Sequence, residues 1–166
     1  MARTVEPVNS DHEVYWPRRI VSGGQTGVDR AALEVAIALG IEHGGWCPRG
    51  RIAEDGTIPS RYQLDETNSS DYQVRTAQNV ESSNATLILH QRKISGGTRL
   101  TQRIAVRLGK PLGVFRLDNS NLPALRRWLS EQRPEVLNIA GPRESMDPGI
   151  QQRAFELLMQ LFARRN

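Results

Sequence analysis

The chain is poor in several things, and each shortage removes a class of function. Its 166 residues include one cysteine, Cys47, so no intrachain disulfide can form and a reducing, cytoplasmic location is expected. No stretch approaches the roughly 18 apolar residues of a membrane-spanning helix. The N-terminal MARTVEPVNSDHEVYWP also lacks the apolar core of about 7–15 residues that a secretory leader needs. The histidines His12, His43 and His90 are scattered, none at ligand spacing with another or with Cys47, so no metal site is expected. Aromatic residues make up 5% of the chain; the core must be aliphatic, and the aromatic interleaving that favours single-stranded nucleic acid is missing. Lysine is nearly absent, since only Lys93 and Lys110 of the 22 basic residues are lysines. A formal charge of +4 carried by arginine suits bidentate contact with an anionic ligand without marking a nucleic-acid binder.

What the chain does have is a motif met three times. An apolar strand-like run breaks into a glycine-bearing turn and then into a helical pattern at IVSGGQTGVDR from Ile20, LILHQRKISGGTRLT from Leu87 and LNIAGPRESMDPG from Leu137. Glycine lets backbone approach a ligand closely, and the following helix presents unpaired N–H groups and its positive dipole end. Turns at strand carboxyl ends fall on one edge of a parallel sheet, where ligands bind in open α/β folds.

The remaining pattern agrees. Strands are expected at 18–22, 44–47, 85–90, 112–117 and 136–140, and helices at 29–39, 71–81, 98–108, 122–132 and 148–163, with Gly40 stopping the first and Asp71 capping the second. Alternating strands and helices imply right-handed crossovers. The expected fold is a three-layer, Rossmann-like, doubly wound α/β sheet of about five parallel strands. Residues 1–16 read as a flexible tail and 17–166 as one ligand-binding domain. The stretch between Cys47 and Asp71 reads as a long loop, expected to act as a lid or a subunit contact over the crevice.

Candidate ligand contacts follow from the turns. In the first, Gly23, Gly24 and Gly27 surround Gln25 and Thr26; the Thr26 hydroxyl is expected on a phosphate oxygen, with Asp29 capping the helix. Tyr72, Arg75, Thr76 and Asn79 recur at i, i+3, i+4 and i+7, a polar stripe expected to face the site. The second turn supplies Gly96, Gly97 and Thr98 to an oxyanion, and the third supplies Gly141 and Arg143, with Asn138 just before them. Cys47 reads as an apolar filler. The loop acids Glu54, Asp55, Asp65 and Glu66 are candidates for a general base or a magnesium ligand. No catalytic residue is assigned.

The segments SGGQTGVDRAAL, GGWCPRGRIAEDGTIP, YQVRTAQNV, NATLILH, GGTRLT and LNIAGPRES, in this order, resemble the molybdenum cofactor carrier family. That family lies in a wider nucleotide-binding superfamily that includes cytokinin-activating phosphoribohydrolases. The resemblance implies a Rossmann-like, often oligomeric protein, a homo-dimer or tetramer, binding molybdenum cofactor (molybdopterin) or another phosphate-bearing, nucleotide-like ligand. It also allows an alternative, a nucleotide or nucleotide-sugar N-glycosidic hydrolase. The phosphoribohydrolases have a helix arginine, matched here by Arg75, and a PGGxGTxxE turn. SGGTRLT places Thr101 where their glutamate stands, so hydrolysis here would require an acid from elsewhere, such as Glu54 or Asp55.

Overall fold

In the computed structural model, residues 13–164 are described. The main sheet contains β1 (Arg19–Val21), β2 (Glu42–Gly44), β7 (Ala85–His90), β8 (Leu112–Arg116) and β9 (Val136–Ala140), in the order β2-β1-β9-β7-β8. Every pairing in it is parallel. Helices α1 (Val28–Leu39), α4 (Leu122–Gln132) and α5 (Ile150–Leu161) cover one face; α2 (Tyr72–Glu81) and α3 (Gly96–Arg107) cover the other. This is the expected three-layer fold, and the three glycine turns do share one edge, because β1, β9 and β7 are neighbours.

The two faces are unequal. Strand side chains alternate between faces, and Ile20, Leu87, Leu89, Leu137 and Ile139 all enter one apolar core with the alanines of α1 and with Leu125, Ala154 and Leu158. Opposite them, the α2–α3 side has only a small cluster around Val80, Ile104 and Ala105. The alternate residues Asn138 and Ala140 of β9 therefore look into a cavity instead of a packed core.

Local signals act where expected. Gly40 ends α1 in the left-handed conformation with φ 70°, and the Asp71 carboxylate accepts from the Gln73 amide at 2.9 Å to cap α2. Three expectations need correction. The strand read as 44–47 is two strands: β2 ends at Gly44, Gly45 turns the chain at φ 124°, and β3 (Trp46–Cys47) leaves the main sheet to pair with β6 (Asp65–Glu66). The long loop is organised, with a hairpin of β4 (Ile52–Ala53) and β5 (Gly56–Thr57) and an apolar cluster of Leu33, Cys47, Ala53, Ile58, Tyr62 and Leu64. Arg51 ties it internally by donating to the carbonyls of Ile58, Pro59, Tyr62 and Leu64. Finally, the end of the expected tail is docked. Tyr15 donates to the Pro134 carbonyl at 3.0 Å and Trp16 to that of Phe162 at 3.1 Å, with its ring edge-on to Phe162. The rest of that tail, 1–12, lies outside the described residues.

Candidate functional site

A cavity of about 820 Å³ opens at the carboxyl edge of β1, β9 and β7, walled by α2 and the start of α3. It sits where α1 and α3 leave neighbouring parts of the sheet toward opposite faces, the usual place for a ligand in a doubly wound fold. Of the thirteen candidate residues, Gly23, Gln25, Arg75, Thr76, Asn79, Gly96, Gly97, Thr98, Gly141 and Arg143 line it; Gly24, Thr26 and Gly27 do not.

The first turn explains those three exceptions. Its amides are already engaged: Gln25 N donates to Asp29 Oδ2 (3.3 Å), Thr26 N to Gln25 Oε1 (3.0 Å), Gly27 N to Gln151 Oε1 (3.0 Å) and Val28 N to the Pro142 carbonyl (3.2 Å). The Thr26 hydroxyl, expected on a phosphate, instead donates to Glu54 and accepts from the Glu144 amide at 3.1 Å. Gly24 is turned toward Leu64 and Ile58, and a Cβ on Gly27 would run into the Pro142 carbonyl. Asp29 is not the helix cap; it lies in the first turn of α1, where Gly27 is the capping residue, and folds back onto the Gln25 amide. The motif thus joins the first and third turns through close packing.

The second turn is different. Neither the Ser95 side chain nor any carbonyl of the described residues accepts from the amides of Gly96, Gly97 or Thr98. A Cβ at Gly96 or Gly97 would have nothing within 4 Å. Arg99 and Arg103 stand on the same helix, and Arg92 and Lys93 precede it; with Arg75 and Arg143 they bring six cations to the wall, against Asp29, Asp71 and Asp147. The excess of positive charge beside free amides is a setting for an anion. Arg92, Arg99, Arg103 and Asp147 were not among the candidates. The arginines at i and i+4 directly after GGT are the signal that was available.

The α2 stripe does face the cavity, yet its members differ in what they have left to offer. Asn79 holds strand β3, accepting from Trp46 N (2.8 Å) and donating to Trp46 O (2.9 Å). Arg75 donates to the Gly23 carbonyl at 2.8 Å, sits 3.9 Å from Asp29 and lies against the Tyr72 ring. Burial pushes the Asp29 carboxyl above its ordinary value, although the Arg75 charge and the Gln25 amide work against that. Arg75 is thereby oriented by the first turn and faces the ligand space with its remaining donors.

The loop acids do not serve the cavity. Glu54 is held by Thr26 and Ser145, with Arg143 3.9 Å away. Partial burial would raise its carboxyl, but those hydrogen bonds hold it below the ordinary range. Asp55 pairs with Arg30, Nη2 to Oδ1 at 2.7 Å, and Glu66 accepts from the Gly50 amide at 2.7 Å. No residue from 48 to 70 lines the cavity; through Glu54, bonded to Thr26 and Ser145, the loop braces the first and third turns. Cys47 is fully buried in the loop's apolar cluster and burial pushes its thiol up, which suits a filler. Thr101 lines the cavity and donates to the Gly97 carbonyl at 3.0 Å.

The family profile described as circularly permutated YpsA SLOG matches residues 20–162. The chain belongs to that family. A solved structure named "Putative molybdenum carrier protein", from Syntrophus aciditrophicus SB, is 42% identical in sequence. It superposes with a TM-score of 0.86, and the match spans 92% of this chain and 98% of that one. The resemblance read from the motifs therefore holds over nearly the whole fold. Comparison with curated proteins gave no match. No helix among the described residues is long and apolar enough to cross a membrane.

Proposed function

We propose that the protein binds an anionic, phosphate-bearing small molecule in this cavity without turning it over, and that its cargo is molybdenum cofactor, the ligand class that the name of the similar Syntrophus protein suggests. The observation that carries the reading is the open start of α3. Gly96, Gly97 and Thr98, whose amides have no acceptor among the described residues, line a cavity of about 820 Å³ whose wall has a cationic excess. That volume falls within the usual range of about 300–1,000 Å³ for small-molecule sites. Among the described residues no group of three His, Cys, Asp or Glu side chains is arranged for a metal, so this chain would grip the organic, phosphorylated part. Arg75, oriented by Gly23, and Thr98 would hold the anion, with Arg99 and Arg143 at its flanks.

The hydrolase alternative requires an acid at the sugar. Glu54 and Asp55 are engaged elsewhere, and Asp29 and Asp147 are the buried carboxyls that do line the cavity. Native mass spectrometry of protein purified from its own host tests the proposal. A retained phosphorylated mass, lost in Arg75→Ala, is expected. Release of free base from nucleoside monophosphates, abolished in Asp29→Asn, would overturn the carrier reading in favour of the hydrolase. A homo-oligomer and a cytoplasmic location belong to the same proposal, and size-exclusion chromatography with light scattering checks the first.

A further inference from the structure

Asp29 and Arg75 stand together on the cavity wall, their side chains only 10% and 11% exposed. Asp29 Oδ2 accepts from the Gln25 amide at 3.3 Å and lies 3.9 Å from Arg75 Nη1. Both side chains press on Gly23, where an added Cβ would meet Arg75 Nη1 at 2.5 Å and Asp29 Oδ2 at 2.9 Å. The other cations near Asp29 have stations of their own. Arg30, next on α1, pairs with Asp55, and Arg143 of the third turn lies 3.9 Å from Glu54. Arg92, Lys93, Arg99 and Arg103 belong to α3 and the segment before it. Arg75 is therefore the cation that both Asp29 and a bound anion would use. Burial already disfavours the ionised form of Asp29, against the pull of Arg75. An anion on Arg75 adds like-charge repulsion where water screens little, and a proton on Asp29 relieves it. The other carboxyls of the wall are Asp71, exposed at the cap of α2, and Asp147, held by Arg153 at 2.9 Å. Among the described residues no histidine lines the cavity.

We propose that binding of an anion to Arg75 is coupled to uptake of a proton by Asp29, so that the protein holds its cargo on the acid side and releases it as pH rises. The proposal rests on the anion reading above and adds regulation to that same site. Affinity is complete below the Asp29 midpoint of the empty protein, where the proton is already in place. It falls as pH rises from that midpoint to the midpoint of the complex and levels off beyond it.

Calorimetric titration with inorganic phosphate between about pH 5 and pH 8, in pairs of buffers with unlike ionisation heats, counts the protons taken up on binding. Phosphate's own ionisation is common to every variant, so the informative quantity is the difference from Asp29→Asn, which carries a neutral group at all pH values. The unaltered protein should take up more protons per phosphate than the variant, and should lose about tenfold more affinity than the variant across the range, the size of one close like-charge contact. Carboxyl-carbon NMR of the unaltered protein reads the same coupling without a substitution: the Asp29 titration should move to higher pH when phosphate is added. Equal proton counts in the two proteins throughout, or an Asp29 titration that phosphate leaves in place, would overturn the coupling and leave the anion reading standing. Absence of phosphate binding to the unaltered protein at every pH would overturn both.

Discussion

The first and second glycine turns look alike in sequence, GGQTG and GGT, and do opposite work. In the first, no amide from Gln25 to Val28 remains for a ligand, since Asp29, Gln25, Gln151 and Pro142 accept from Gln25, Thr26, Gly27 and Val28 in turn. In the second, the amides of Gly96 to Thr98 have no acceptor among the described residues. A glycine-rich turn at a helix start is therefore a permissive geometry, and what surrounds it decides whether it grips a ligand or another piece of the same chain.

Replacement of one glycine in each turn is the sharpest way to break this comparison. Gly27 has φ 84° and a Cβ there would collide with Pro142. Gly27→Ala should lose about 3 kcal/mol or more of stability, from left-handed strain and overpacking together. Urea denaturation checks it, and a loss below about 1 kcal/mol would mean that the first and third turns are not as tightly joined as described.

Arg75 couples the two turns, and its removal should rank next. Arg75→Met leaves the buried Asp29 carboxylate unpaired, a change that costs about 3 kcal/mol at neutral pH. Asp29 has its folded-state pKa raised. Its protonated form is thus favoured by the fold, and the stability this gives is complete below the ordinary carboxylate range and is lost as pH rises through the raised value. The penalty of Arg75→Met should accordingly shrink on acidification, and Asp29→Asn should relieve it in the double variant. Denaturation at pH 4 and pH 7.5 reads both effects; an equal penalty at the two values would remove Asp29 as the cause.

Gly97→Ala should do the reverse of Gly27→Ala. It lies inside α3 with clear space around a new methyl, so stability should hold or rise by up to about 1 kcal/mol. The methyl nonetheless enters the space in front of the free amides. Affinity for inorganic phosphate should fall about tenfold, on the order of one charge-assisted hydrogen bond. Calorimetry that shows unchanged phosphate affinity would move the anion away from α3.

The sequence made the fold legible because its cues are local. Gly40 and Asp71 stop and start helices through contacts within a few residues, and the strand periodicity directly reports the buried face. Gly45 hid the break between β2 and β3, since a short GGWC run reads as one strand unless the partner at residues 65–66 is known. The site was legible as a location and less so as a set of contacts. Arg75 and Gly97 were found by spacing, whereas the direction of Thr26 depends on Glu54, 28 residues later and on the loop hairpin.

Thr26→Ala carries the smallest expected effect on binding and the most direct check of the division between the turns. On sequence alone, loss of this hydroxyl would weaken phosphate binding by roughly tenfold, as for any charge-assisted contact. In the structure the hydroxyl lies behind the cavity, between the Glu54 carboxylate and the Glu144 amide. Its removal should cost about 1–2 kcal/mol of stability by loosening the loop hairpin from the third turn, while phosphate affinity stays within about twofold, close to ordinary mutational scatter. The stability cost should fade on acidification, because Glu54 has its folded-state pKa lowered and what it contributes is lost as pH falls through that value. A tenfold loss of phosphate affinity with unchanged stability would return the first turn to the ligand.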